Sequence, residues 1–223
     1  MSDKVILWGD SIGKGVIYHP NRKRYCLARE RCTALLREAG LDIENNARMG
    51  ATIREGYSDF CQSPADAGDI VVIEYGGNDC DLDWDAVAAD PEVFHDGKTP
   101  LSEFRSTLTA FIQTVRQRDM KPLAVVPPPL EAGRFYRWVS RGRDAARILR
   151  YLVDVQHIYR WQERYSNAVW EAAVRLNCRL ADLRGWMLEE LNYPSVICDD
   201  GIHPNEAGHE LIARAAAGAF PLC

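Results

Sequence analysis

The sequence has no apolar run approaching the roughly 18 residues that a membrane span needs, so no membrane partner is expected. It has no basic excess either. Its 27 Lys and Arg face 32 Asp and Glu, for a net charge of −5, which argues against nucleic acid as a partner. The seven cysteines, Cys26, Cys32, Cys61, Cys80, Cys178, Cys198 and Cys223, are odd in number, and no C-x-x-C pair occurs. Free thiols are therefore expected rather than zinc ligands or a disulfide framework. Repeats, low-complexity tracts and linkers are missing, which leaves a single domain over residues 1–223. An apolar run begins at Lys4, too early to follow a signal peptide, so the expected location is cytoplasmic.

What is present is an alternation of short apolar runs with helical periodicities. Lys4 to Trp8 reads as a first strand, ended by Gly9. A loop around Tyr18-His19-Pro20-Asn21 precedes a helix, in which Ala28, Cys32, Leu35, Leu36 and Ala39 recur and Gly40 is the stop. Residues 41–45 give a short second strand, 70–75 the clearest strand, 123–126 a fourth and 179–182 a fifth. Between them, Phe104, Leu108, Phe111, Ile112 and Val115 mark one amphipathic helix, with Pro100 in its first turn. Ile158 to Leu176 mark a longer one, a short helix lies near 186–191, and an Ala-rich helix closes the chain. Such alternation means a parallel sheet covered on both faces, and right-handed crossovers bring every strand's carboxyl end to one rim.

Ser11, Gly50 and Asn78 each follow a different early strand and so gather on that rim. A serine hydroxyl needs a base to take its proton and a third group to orient the base. Among only five histidines, His203 is preceded by Asp200 at a spacing that can fold the carboxylate onto the imidazole. The backbone N–H groups of Ser11 and Gly50 and the side-chain amide of Asn78 are candidate donors to an oxyanion. Taken singly, each residue has a plainer reading. Ser11 can cap a helix, Gly50 can serve a turn, Asn78 can bond its own backbone, and Asp200 and His203 can form a solvated helix entry.

The ordered blocks Gly9-Asp10-Ser11-Ile12, Gly50, Gly76-Gly77-Asn78-Asp79 and Asp200-Gly201-Ile202-His203-Pro204 resemble the SGNH hydrolases, the GDSL-type esterases and lipases. The resemblance runs from residue 9 to 204. It implies a three-layer αβα sandwich, a flavodoxin-like five-stranded parallel sheet of order 2-1-3-4-5. It implies Ser11 as nucleophile, His203 as base and Asp200 as its orienter, an oxyanion hole from Ser11, Gly50 and Asn78, and no metal or other cofactor. The G-x-S-x-G turn of ordinary α/β-hydrolases is absent. The expected activity is that of a carboxylic ester hydrolase, acting on short acyl esters, acetyl above all, on a carbohydrate. Lysophospholipase, thioesterase, metal-dependent phosphoesterase and non-catalytic binding module are the alternatives.

Two stretches stand outside this pattern. Residues 131–153 interleave Arg134, Arg137, Arg141, Arg143, Arg147 and Arg150 with Phe135, Tyr136 and Trp138. They read as an insertion or mobile flap that recognises the alcohol part of a substrate through Arg134, Arg137 and Trp138, with a solvated helix or an oligomer contact as the alternative. The acidic run Asp79-Cys80-Asp81-Leu82-Asp83-Trp84-Asp85 lacks the Gly and closing Glu of a calcium loop and reads as a solvated loop.

Overall fold

The computed structural model of the chain describes residues 4–29, 31–64 and 69–219; Cys223 lies outside them. In chain order the elements are β1 (Val5–Gly9), α1 (Ser11–Lys14), β2 (Val16–His19), β3 (Arg24–Leu27), α2 (Cys32–Glu38), β4 (Ile43–Asn45), α3 (Ile53–Gln62) and β5 (Ile70–Glu74). There follow α4 (Trp84–Ala89), α5 (Leu101–Gln117), β6 (Lys121–Val126), α6 (Ala132–Val139), α7 (Ala145–Leu152), α8 (His157–Arg175), β7 (Arg179–Asp182), α9 (Leu183–Leu188) and α10 (Glu206–Ala219).

β1 and β5 are buried along their whole length, which is why they read as unbroken apolar runs rather than as alternating ones. They form the centre of a parallel sheet of order β4-β1-β5-β6-β7, which is 2-1-3-4-5 among the sheet's own strands. The register sets Gly9 beside Glu74 and Glu74 beside Val125, so the loops carrying Ser11 and Asn78 leave the sheet side by side. One face packs the aromatic-rich sides of α3, α5 and α8, including Phe60, Phe104, Phe111 and Tyr165. The other face packs smaller aliphatic groups, such as Leu36, Ile212 and Ala213 of α2 and α10.

The chain departs from the sequence expectations in three places. Residues 16–27 form a two-stranded antiparallel hairpin instead of a loop entering a helix, and α2 starts only at Cys32. The acidic stretch contains α4, capped by the Asp83 carboxylate, which accepts from Asp85 N and Ala86 N. Residues 131–153 are α6 and α7, whose apolar faces (Phe135 and Val139, Ile148 and Leu152) are buried in the main core. Their arginines explain the composition. Arg143 makes a two-pronged pair with Asp85, Arg147 donates to the carbonyls of Ala88 and Ala89, and Arg150 pairs with Glu92. The basic segment and the acidic one answer each other.

Candidate active site

The nucleophile candidate is placed by a tight turn. Asp10 caps α1, its Oδ1 accepting from Ile12 N at 2.9 Å, so Ser11 is the first residue of the helix and sits at the carboxyl end of β1. The base candidate comes from a closed loop after the last strand. An antiparallel bridge joins Ile197 to Pro204, and Cys198 N donates to His203 O at 2.8 Å. Gly201 is required at the loop's tip. Its φ is +83°, and a Cβ there would lie 2.4 Å from Phe135 N. Gly201 O also accepts from Glu131 N at 2.7 Å, which locks this loop to the start of α6.

These two turns bring residues 192 positions apart into contact. Ser11 Oγ lies 2.8 Å from His203 Nε2, and His203 Nδ1 lies 2.6 Å from Asp200 Oδ2. Asp200 Oδ1 accepts from the backbone N–H groups of Ile202 and His203. Burial pushes the Asp200 carboxyl up, but these N–H donors and the imidazole outweigh it and hold the group below the usual carboxylate range. Asp200 is therefore an acceptor only, so Nδ1 carries the proton and Nε2 is left to accept from Ser11.

A second buried group of carboxylates underlies the rim. Glu74 Oε2 accepts from Asp10 N and Gly13 N, each at 3.1 Å. Burial and the neighbouring Asp10 charge raise the Glu74 carboxyl well above its ordinary value. Asp10 is pushed up to about 6 by burial, opposed by its hydrogen bonds and by His203. Its Oδ2 accepts from Asn78 Nδ2 at 3.0 Å, which fixes which way the Asn78 amide points. Asp79 is pushed up to about 6, again chiefly by burial. It accepts from Ile53 N and so ties the Asn78 loop to α3.

Ser11, Gly50, Asn78 and His203 all line one recess of about 330 Å³. Gly50 turns there at a φ of +81° that favours glycine. Beyond them the wall is formed by Leu82, Trp84, Leu130, Phe135, Val139 and Trp161. Of the three residues expected to recognise substrate, the recess includes Trp138 but neither Arg134 nor Arg137. Arg134 is turned the other way, its Nη1 donating at 2.7 Å to both Pro194 O and Ile197 O, and Arg137 is exposed. Arg143 lines the recess in their place.

Some site residues had no part in the sequence reading. Asp10 was visible in the Gly-Asp-Ser block, but its grip on Asn78 was not. Tyr25, from β3, packs against the His203 ring with centroids 5.2 Å apart, and Trp138 meets Tyr18 at 4.6 Å. Burial first, then the Asp200 charge and a hydrogen bond to it, raise the Tyr25 phenol. The signal for Tyr25 was the pair of short β-prone stretches Val16-Ile17-Tyr18 and Tyr25-Cys26-Leu27 on either side of the Pro20-Asn21 turn. Among the described residues, no group of three or more His, Cys, Asp or Glu side chains is placed to hold a metal ion.

Residues 7–211 match the model of the GDSL-like lipase/acylhydrolase family. No curated protein sequence matches the chain. Solved structures do. A lipase/acylhydrolase from Enterococcus faecalis superposes with a TM-score of 0.65 at 18% identity, over 97% of this chain and 94% of that one. A member of the lipolytic G-D-S-L family from Veillonella parvula gives 0.66 at 13%, over 100% of both chains. A catalytic mutant of Axe2, an acetylxylan esterase from Geobacillus stearothermophilus, gives 0.66 at 19%, over 100% of this chain and 95% of that one.

Proposed function

Because the chain belongs to the GDSL-like lipase/acylhydrolase family, we propose that it is a serine carboxylic ester hydrolase that works through an acyl-enzyme on Ser11. The observation that carries this reading is the unbroken chain from Ser11 Oγ through His203 to Asp200, with separations of 2.8 and 2.6 Å. Nε2 takes the hydroxyl proton as Oγ attacks the ester carbonyl, and Asp200 steadies the imidazolium that forms. The carbonyl oxygen becomes negative beside the N–H groups of Ser11 and Gly50 and the Asn78 amide. The first residue of a helix has no intrahelical acceptor for its N–H, which leaves that of Ser11 free for this use. His203 then returns the proton to the leaving alcohol. Water, activated by the same imidazole, releases the acid.

The short acyl group expected from sequence draws support from the likeness to an acetylxylan esterase, a likeness of fold. The recess speaks for a larger group. At about 330 Å³ and with aromatic walls, it would leave an acetyl methyl largely unpacked. Hydrolysis of 4-nitrophenyl acetate by wild type and Ser11→Ala tests the reaction class. Wild type should turn over, and the variant should lose about 10⁴-fold or more in kcat while circular dichroism stays native. Near-normal turnover by the folded variant would reject the proposal.

A further inference from the structure

The hairpin of β2 and β3 reaches the catalytic candidates. Tyr18 and Tyr25 are partners across it, so their rings share one side, 5.4 Å apart. Trp138 of α6 closes on both, at 4.6 Å from Tyr18 and 6.0 Å from Tyr25, and Arg141 covers the indole at 4.0 Å. The Tyr25 ring then meets the His203 imidazole, with centroids 5.2 Å apart and planes inclined at 58°. Burial raises the Tyr25 phenol, and so does the charge of Asp200, so Tyr25 borders both partners of the His203–Asp200 bond.

The hairpin is braced from both ends of the site. Tyr18 N donates to Cys198 Sγ at 3.4 Å, which ties it to the loop carrying Asp200 and His203. Ala28 N donates to Gly15 O at 2.8 Å, which ties it to the turn carrying Ser11. At rest, His203 is held at Nε2 by Ser11 and at Nδ1 by Asp200. An acylated Ser11 has no hydroxyl proton to give, so that stage of the reaction removes the Nε2 anchor. Asp200 then holds a single ring atom, about which the imidazole can swing. A ring packed against the imidazole removes this freedom without competing for either nitrogen.

Resting on the esterase reading above, we propose that Tyr25 is a positioning residue for His203: its ring holds the imidazole in the plane that joins Asp200 to Ser11 and keeps water from the Nδ1–Oδ2 bond. The role belongs to the ring and not to the hydroxyl. Tyr25 also lines the recess, so a substrate contact is the rival role. The two separate in kinetics, since a positioning residue acts on kcat and a substrate contact on KM.

The test uses three variants and 4-nitrophenyl acetate. Tyr25→Phe keeps the ring and should hold kcat within about twofold of wild type. Tyr25→Leu and Tyr25→Val, the second a good strand former, should each lose on the order of tenfold in kcat with KM little changed. Proton NMR reads the His203–Asp200 pair without turnover. Wild type and Tyr25→Phe should show the Nδ1 proton as a sharp resonance downfield of the amides, slow to exchange with water. In the two aliphatic variants it should broaden and exchange. A wild type without such a protected proton, or a loss in Tyr25→Phe equal to that in the aliphatic variants, overturns the proposal. So does a change in KM alone, or a lower melting temperature in folded aliphatic variants whose kcat and resonance are unchanged. Failure of the esterase reading looks different: wild type does not turn over the ester, and the resonance alone then decides whether the ring holds the pair.

Discussion

At the rim, the polar side chains around Ser11 are held in place: His203 by Asp200, Asn78 by Asp10, and Glu74 by the backbone N–H groups of Asp10 and Gly13. A few residues further in, the recess is walled by tryptophan, phenylalanine and leucine, and the buried Gln162 oxygen has no hydrogen-bond partner among the described residues. On the proposed reading, the rim would meet charge that appears only during the reaction, whereas the recess would pack a group that is present throughout. Substitutions at the rim should therefore act on kcat, and those in the recess on the choice of substrate.

The sharpest break in that contrast is Asn78→Ala. On the proposed reading the Asn78 amide meets the oxyanion, so its loss should lower kcat about 10²–10³-fold with KM little changed. Steady-state kinetics together with a melting curve check it. A destabilised but fully active variant would make Asn78 a loop-bracing residue.

Asp10→Asn should have a smaller kinetic effect and an opposite effect on stability. With Oδ1 still accepting from Ile12 N, the new amide nitrogen would face Asn78 Nδ2, donor against donor, and turn the Asn78 amide. We expect a loss in kcat on the order of tenfold. The folded-state pKa of Asp10, about 6, exceeds its unfolded value of about 3.9. The stability it contributes is thus full below the unfolded value and is lost as pH rises through about 6. A neutral Asn escapes that loss, so the variant's stability relative to wild type should rise by on the order of 2 kcal/mol from pH 4.5 to pH 7.5, whatever the donor contact costs at both. Urea unfolding at both values measures it. An equal difference at both would show that ionisation is not the cause.

The smallest effect is expected outside both regions. Arg134→Ala removes donors to the Pro194 and Ile197 carbonyls, which brace the approach to the Asp200 loop. It should lower stability by about 1–2 kcal/mol and leave KM unchanged, since the side chain points away from the recess. A raised KM with unchanged stability would restore Arg134 as a substrate contact.

The rim was legible in the sequence because its residues sit in loops directly after strands, where the chain's reversal needs Gly and Asp at fixed places. The central strands were legible because β1 and β5 are buried apolar runs, while their order in the sheet was implied by the family resemblance alone. The walls of the recess were not. Phe135, Val139, Leu152 and Ile158 announce by helical spacing that something is buried, and spacing alone does not say that part of the buried surface faces a cavity. The arginines of 131–153 misled in an instructive way. Their partners, Asp85, Glu92 and the carbonyls of residues 88 and 89, lie nearly 60 residues away in a stretch that read as solvated loop. The hairpin of residues 16–27 was hidden because its strands are four residues each and show no apolar/polar alternation, so one turn of helix competes with them.

The central claim is that Ser11 becomes covalently acylated. A fluorophosphonate that phosphonylates activated serines, followed by peptide mass spectrometry, tests it most directly. The adduct should fall on the peptide carrying Ser11, be absent in Ser11→Ala, and form far more slowly in His203→Ala. Labelling of another residue, or an unlabelled Ser11 in a preparation that still hydrolyses 4-nitrophenyl acetate, would contradict the account.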